Sequence, residues 1–408
     1  MILSVSDSGK RIGRGETLTI SEVDGDLLLE GSTLVAEGGT VVVGGDLVVN
    51  RRSSVKGNLK AESIRGDGDL EVQGDLEAED VKLDNGASLT VSGNLRAEDV
   101  EIPNSLSVGG DTQVEDLRVG GTAVLTGPAS VEDVRVGGTL RALQSMKSED
   151  ISVGGTFEVK SLVCEDVNVG GSLRADSVEA EDVNVGGMVR ISGEAKIEDL
   201  VVGGTVEIGK GRIEEVRVGG TLKSAGELAF ERIDVGGEVD IESGKGERIS
   251  VGGVLQVVKG LELDDDLSVG GRAKIGGAVK ANSIDVGGML EAARATADER
   301  LSVGGALTTL EGSKASEIDV GRRARVKGAV IGEVVKIREG SDAEDIYAEE
   351  LRLDDGCAVR NIYAQKAEIG DGCSVSGRLL YTGDLRLGKD VRLASQPEKV
   401  SSLPNPPV

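Results

Sequence analysis

Apolar and polar residues alternate along this chain in short runs, and the runs recur with a nearly fixed period. Between Gly171 and Gly186 the apolar positions are Leu173 and Ala175, then Val178 and Ala180, then Val183 and Val185. Alternation with period two puts each pair on one face of a strand. Three such strands, each turning two side chains inward, predict one turn of a triangular coil. The register persists: Leu140, Phe157, Leu173, Val189, Val206, Leu222, Val239 and Leu255 hold one position, and Val134, Ile151, Val167, Val183, Leu200, Val216, Ile233 and Ile249 hold another. Stacked turns would make each series an apolar column with about 4.8 Å between neighbours. A Val-Gly-Gly step punctuates the repeat every 16 to 18 residues, from Val119-Gly120-Gly121 to Val303-Gly304-Gly305. One repeat of this size cannot bury its apolar face alone, so the repeats must stack into a solenoid. The fold expected is all-β, a single-stranded parallel β-helix with triangular cross-section and 16–18 residues per turn.

A solenoid grows in one direction, so 408 residues need no division into compact domains. The expectation is an N-terminal segment or cap over 1–17, a continuous coil over 18–394, and a disordered proline-rich tail over 395–408, where four of the six prolines lie. Roughly 22 turns would make a rod on the order of 100 Å long. Within the coil the corner signature changes softly. Residues 25–110 carry Gly-Asp-Leu or Gly-Asn-Leu, residues 108–320 carry Val-Gly-Gly, and residues 328–393 carry Asp354-Asp355-Gly356-Cys357 and Gly370-Asp371-Gly372-Cys373. The 62 glycines suit corners, where φ > 0 or close backbone approach is needed, and Pro103 and Pro128 are placed at corners too.

Charge is unevenly arranged. The net charge is −26, and two neighbouring columns are acidic: Glu132, Glu149, Glu165, Glu181 and Glu198, beside Asp133, Asp150, Asp166, Asp182 and Asp199. Like charges one turn apart oppose folding unless screened. This ridge reads as a solvated edge that keeps coils apart sideways, with adaptation to a saline cytosol, or a site for divalent cations or a basic partner, as alternatives. An acidic balance argues against nucleic acid, whose binding needs clustered Lys and Arg, and against an anionic membrane surface.

The chain has no His, which removes Ser-His and Cys-His nucleophile pairs and every His-ligated metal site. Regularly laddered acids without aromatic neighbours make a poor carbohydrate-cleaving groove. Gly209-Lys210-Gly211 and Gly244-Lys245-Gly246 lack the strand-loop-helix context of a phosphate-binding loop. No catalytic, cofactor or metal residues are assigned, and no enzyme activity is expected. Cys357 and Cys373, one turn apart, are read as buried free thiols. Arg65-Gly66-Asp67 matches an adhesion tripeptide, and an extracellular adhesin or surface rod stands as the alternative of another class.

Val55-Lys56-Gly57-Asn58-Leu59-Lys60-Ala61-Glu62-Ser63-Ile64, echoed by Val91-Ser92-Gly93-Asn94-Leu95-Arg96-Ala97-Glu98-Asp99-Val100, resembles the repeat of bactofilins, the polymer-forming cytoskeletal proteins, and their archaeal halofilin relatives. The resemblance covers residues 25–110 and 328–393; between them only the period is shared. It implies a right-handed coil, end-to-end polymerisation without nucleotide, and a part in cell shape or scaffolding. The partners implied are the chain itself or a second bactofilin-like protein, whose filaments this chain would otherwise cap or modulate. Bactofilins are often held to membranes by a short apolar N-terminal motif, and Met1, Ile2 and Leu3 are similar in size. The place implied is the cytoplasm, with the inner face of the cell membrane as the contact for those three residues. The rod ends are the candidate association surface, because an end turn offers unpaired backbone groups above an apolar core. Tyr347, Tyr363 and Tyr381, expected in one column, mark that surface with Leu385, Leu387 and Leu393.

Overall fold

The computed structural model describes residues 9–407, and they form strands and corners with no helix among them. The chain divides into two compact units, Met1–Gly203 and Gly204–Val408, with the boundary inside the Val-Gly-Gly series. In the first unit the strands are parallel, and each pairs with the equivalent segment one turn later. Thr122–Leu125 pairs with the start of Thr139–Lys147, Ala129 with Met146, and Asp133 to Val136 with Asp150–Val153. Three separate registers per turn define three faces. Their inward residues, Ala123, Leu125, Ala129, Val131, Val134 and Val136, are all at most 5% exposed, which gives the six inward side chains expected. The turn from Leu173 to Val185 buries its predicted six as well.

Apolar columns run through each unit. In the first, Leu140, Phe157, Leu173 and Val189 pair in succession, as do Val134, Ile151, Val167, Val183 and Leu200. In the second, Val206, Leu222, Val239 and Leu255 form one column and Val216, Ile233 and Ile249 another. Burying each such side chain contributes about 1.5–3 kcal/mol. Variation in period is absorbed at corners, most often at one of them, with further shifts at a second corner between Ala281 and Ser283 and between Thr296 and Arg300. Register shifts fall between Ala142 and Ser145, Ala175 and Val178, Ile208 and Gly211, and Ile275 and Ala278, so an extra residue bulges outward and the inward set is preserved.

Two kinds of corner hold the turns together. In the Gly-Asn/Asp corner each side chain caps the backbone of the next turn: Asn58 Oδ1 accepts the Asp75 N–H at 2.9 Å, Asp75 Oδ1 the Asn94 N–H at 2.7 Å, and Asn94 Oδ1 the Asp111 N–H at 2.8 Å. The following position is Pro128, which offers no N–H, and the ladder ends there. In the Val-Gly-Gly corner the glycines stack directly. A Cβ at Gly154 would lie 2.2 Å from the Gly137 carbonyl oxygen, and one at Gly252 2.4 Å from that of Gly236. Neither glycine has positive φ, so close approach is what excludes a side chain here. Pro103 opens this glycine column, with its carbonyl against Gly120.

Both predicted boundaries of the coil move outward. Lys10–Ile12 already pairs with Leu27–Leu29, and Ile12 is buried, so the coil starts before residue 18. A single apolar residue in that strand left no alternation to detect. At the other end, Glu398–Lys399 pairs with Leu380 and Tyr381, and Val400 N–H donates to the Tyr381 carbonyl at 2.9 Å. The segment expected as a disordered tail therefore carries a strand. Its few pairing residues lie between prolines, which hid them.

The glycine contact is directly testable. Gly154→Ala is expected to cost about 1–3 kcal/mol, because the methyl group must push two turns apart. Urea unfolding followed by circular dichroism checks this; an unchanged midpoint would show that the corner tolerates a side chain.

Candidate functional site

The C-terminal turns are built by Asp342–Leu353 and Ala358–Ile369, which pair in register. Alternation sends Ile346, Ala348, Ile362 and Ala364 inward and Tyr347 and Tyr363 outward. The two tyrosine rings stack, with centroids 4.7 Å apart and planes inclined by 23°. Tyr381 does not join them. Tyr363 pairs with Leu380, and Tyr381 follows Ala364 in an inward column. The tyrosines are 18 residues apart but the strand register here is 17, so the third steps to the opposite face. Inward rings occur elsewhere in the chain, at Phe157 and Phe230, which are 0% and 6% exposed. Tyr381 lies in the last complete turn, half-buried, with Lys399 Nζ 5.9 Å from its ring centroid.

Leu385, Leu387 and Leu393 continue the inward columns of Ala367, Ile369 and Val375. Their predecessors are at most 4% exposed, whereas Leu387 is 44% exposed and Leu385 and Leu393 are half-buried. Among the described residues no strand pairs on the far side of Leu385–Leu387 or Arg392–Leu393. Backbone donors and acceptors stand unpaired there beside the end of an apolar core. Met1, Ile2 and Leu3, the candidate membrane contact, lie outside the described residues.

The acidic columns are in register as expected. Asp80, Asp99, Asp116, Asp133, Asp150, Asp166, Asp182 and Asp199 pair in succession in the first unit. At the adjoining corner Glu132, Glu149, Glu165 and Glu181 are exposed, joined through backbone bonds of 2.9 to 3.1 Å, and Glu198 is exposed as well. Arg118 meets Asp116 at 3.0 Å and Asp99 at 3.7 Å. Further along, the Asp166 carboxyl is pushed above its ordinary value by partial burial and by the charges of Asp182, Asp150 and Glu181. The second unit shows the reverse. Here Glu215 is followed by Arg232 and Arg248, and cations answer the acids: Lys336 meets Glu317 at 2.6 Å, Arg338 meets Asp319 at 2.7 Å and Arg360 meets Asp345 at 2.6 Å. Hydrogen bonds from these cations hold Glu317, Asp319 and Asp345 below the usual carboxylate range. Among the described residues no group of three or more acids, cysteines or histidines is placed to hold a metal ion.

Cys164, Cys357 and Cys373 are free and buried. Burial pushes the Cys164 thiol up to about 12 and Cys357 to about 11, and raises Cys373 as well. Cys357 donates to the Arg338 carbonyl at 3.2 Å and Cys373 to the Asp354 carbonyl at 3.1 Å. They extend a column begun by Ser341, whose hydroxyl donates to the Gly321 carbonyl at 2.9 Å. The thiols thus serve as corner donors, and their thiolates are suppressed at neutral pH. Arg65 is paired with Asp46 and Gly66 is buried, so the adhesion-like tripeptide is part of a corner. Gly246 leaves space for the Phe230 ring, 2.4 Å from where its Cβ would be, which accounts for Gly244-Lys245-Gly246. The Asn/Asp ladder and the seating of residues 398–406 escaped sequence reasoning. The recurrent Gly-Asx pair was the available signal for the first; nothing local signalled the second.

The two charge patterns predict opposite responses to acid. A raised folded pKa, as at Asp166, means stability falls as pH rises past 3.8, the ordinary aspartate value; removing that charge by Asp166→Asn should raise the melting temperature at pH 7, and high salt should reduce the gain by screening the neighbouring acids while leaving the part that comes from burial. A lowered folded pKa, as at Asp345, means its stabilisation is present above 3.8 and is lost as pH falls through the depressed value; Asp345→Asn should lower the melting temperature at pH 7 and converge with wild type in acid. Calorimetry over pH and salt checks both signs. No protein-family model matches this chain, and neither a curated protein nor a solved structure matches it.

Proposed function

We propose that this chain is a non-catalytic, bactofilin-like structural protein that acts in cell shape or scaffolding and associates through the end of its coil. The observation that carries the reading is the C-terminal turn, where Leu387 is 44% exposed at the top of an apolar column and the last strands have one free edge. A second coil placed there would continue the core and the backbone ladder together, which is how an edge strand recruits another chain. The repeat resemblance in residues 25–110 and 328–393 supports the same assignment. Its natural partners are another copy or a shorter bactofilin-like protein. The cytoplasm is the compartment where such a scaffold would work; no helix among the described residues is long and apolar enough to cross a membrane.

A second reading, a coil that caps the filaments of a shorter relative, is favoured by one observation. The strand Glu398–Lys399 already occupies the edge of Leu379–Tyr381, so part of the end is closed. Negative-stain electron microscopy across a salt series separates the two. Self-assembly predicts filaments, which Leu387→Asp or Leu393→Asp should reduce at least about tenfold in yield, as expected for a charge forced into an apolar contact. Discrete particles at every salt concentration, unchanged by either substitution, would rule out self-assembly through this end.

A further inference from the structure

The C-terminal segment touches the candidate surface twice. First, Glu398–Lys399 adds a strand to Leu379–Tyr381, fastened by the Val400 N–H to the Tyr381 carbonyl and flanked by Ser395 Oγ donating to the Gly377 carbonyl at 3.0 Å. The chain then runs to the outer face, where Leu403, Pro404, Asn405 and Pro406 line one cleft of about 540 Å³ with the stacked Tyr347 and Tyr363. Leu403 is half-buried, and the prolines are exposed along it. Stacked aromatic rings with a shallow groove are the surface that extended proline-rich peptides recognise, because fixed φ angles lower the entropy lost on docking. All three tyrosines of the chain lie under this one segment.

We infer that the Tyr347–Tyr363 face and the edge of Leu379–Tyr381 together form a binding surface for an extended proline-rich strand, occupied here by the chain's own residues 396–407 and able to take the same segment from a second copy. The pairing in cis is short, with two residues on each side, and its side-chain contacts are largely exposed. The contacts are chemically identical whichever copy supplies the segment. Exchange would link two copies, with the edge in each covered by the segment of the other. Its consequence for filament assembly rests on the association proposed above; the segment–groove contact itself does not.

The chain has no Trp, so its tyrosine emission reports on this surface alone. Val400→Pro removes the donor to Tyr381, and Leu403→Ser removes the half-buried anchor; both are made in the full chain, with circular dichroism to verify the coil. Acrylamide quenching of tyrosine should increase in both. A labelled peptide of residues 396–407 should bind the loosened chains at least about tenfold more tightly than wild type, whose groove is occupied, and Tyr363→Ala added to either should abolish binding. Unchanged quenching, or peptide binding that is equal or absent in wild-type and loosened chains, would overturn the inference. Peptide binding without any change in assembly would retain the groove and reject only the end-association reading.

Discussion

Parallel strands stacked in register, one turn directly on the next, are the constraint from which the other features follow. Each residue meets its equivalent at the strand spacing, so whatever a column contains is multiplied along it. Valine and leucine columns gain burial at every step. Asparagine and aspartate gain a backbone cap at every step, as in the run from Asn58 to Asp111. Aspartates facing aspartates accumulate repulsion instead, which adds to partial burial in raising the Asp166 carboxyl. The glycine corner is what permits the spacing, since carbonyl oxygens of one turn sit where a side chain of the next would begin.

The two units solve the charge problem differently. The first tolerates an aspartate column with cations sparsely placed along it, whereas the second interleaves arginine and lysine with its acids. An exposed pair contributes only a few tenths of a kcal/mol to about 1 kcal/mol, so the difference bears more on how each surface meets other charged bodies than on the fold. Sideways contact through the aspartate column is electrostatically opposed. The apolar end carries no such penalty.

A repeat that stacks must also stop, and the last turn shows how. Tyr381 takes an inward position but stays half-buried, Leu387 is left partly bare, and a short strand from beyond the coil returns to cover one edge. The cover is slight, consistent with an edge that is guarded against chance association and still open to exchange.

The inward residues were legible in the sequence because period-two alternation survives every turn: Leu173 to Val185 and both long columns fell where the pattern placed them. The acidic columns followed from the same register. The partners of Tyr381 were not legible, since a one-residue difference between chain spacing and strand register reverses a side chain, and that register is set by how the corner after Val375 folds. Nor was the place of residues 398–406, whose two-residue strand has no pattern of its own and acquires one only from the edge beside it. The coil and its interior could be read from the residues, because those contacts repeat; the ends took their arrangement from tertiary contacts, each of which occurs once.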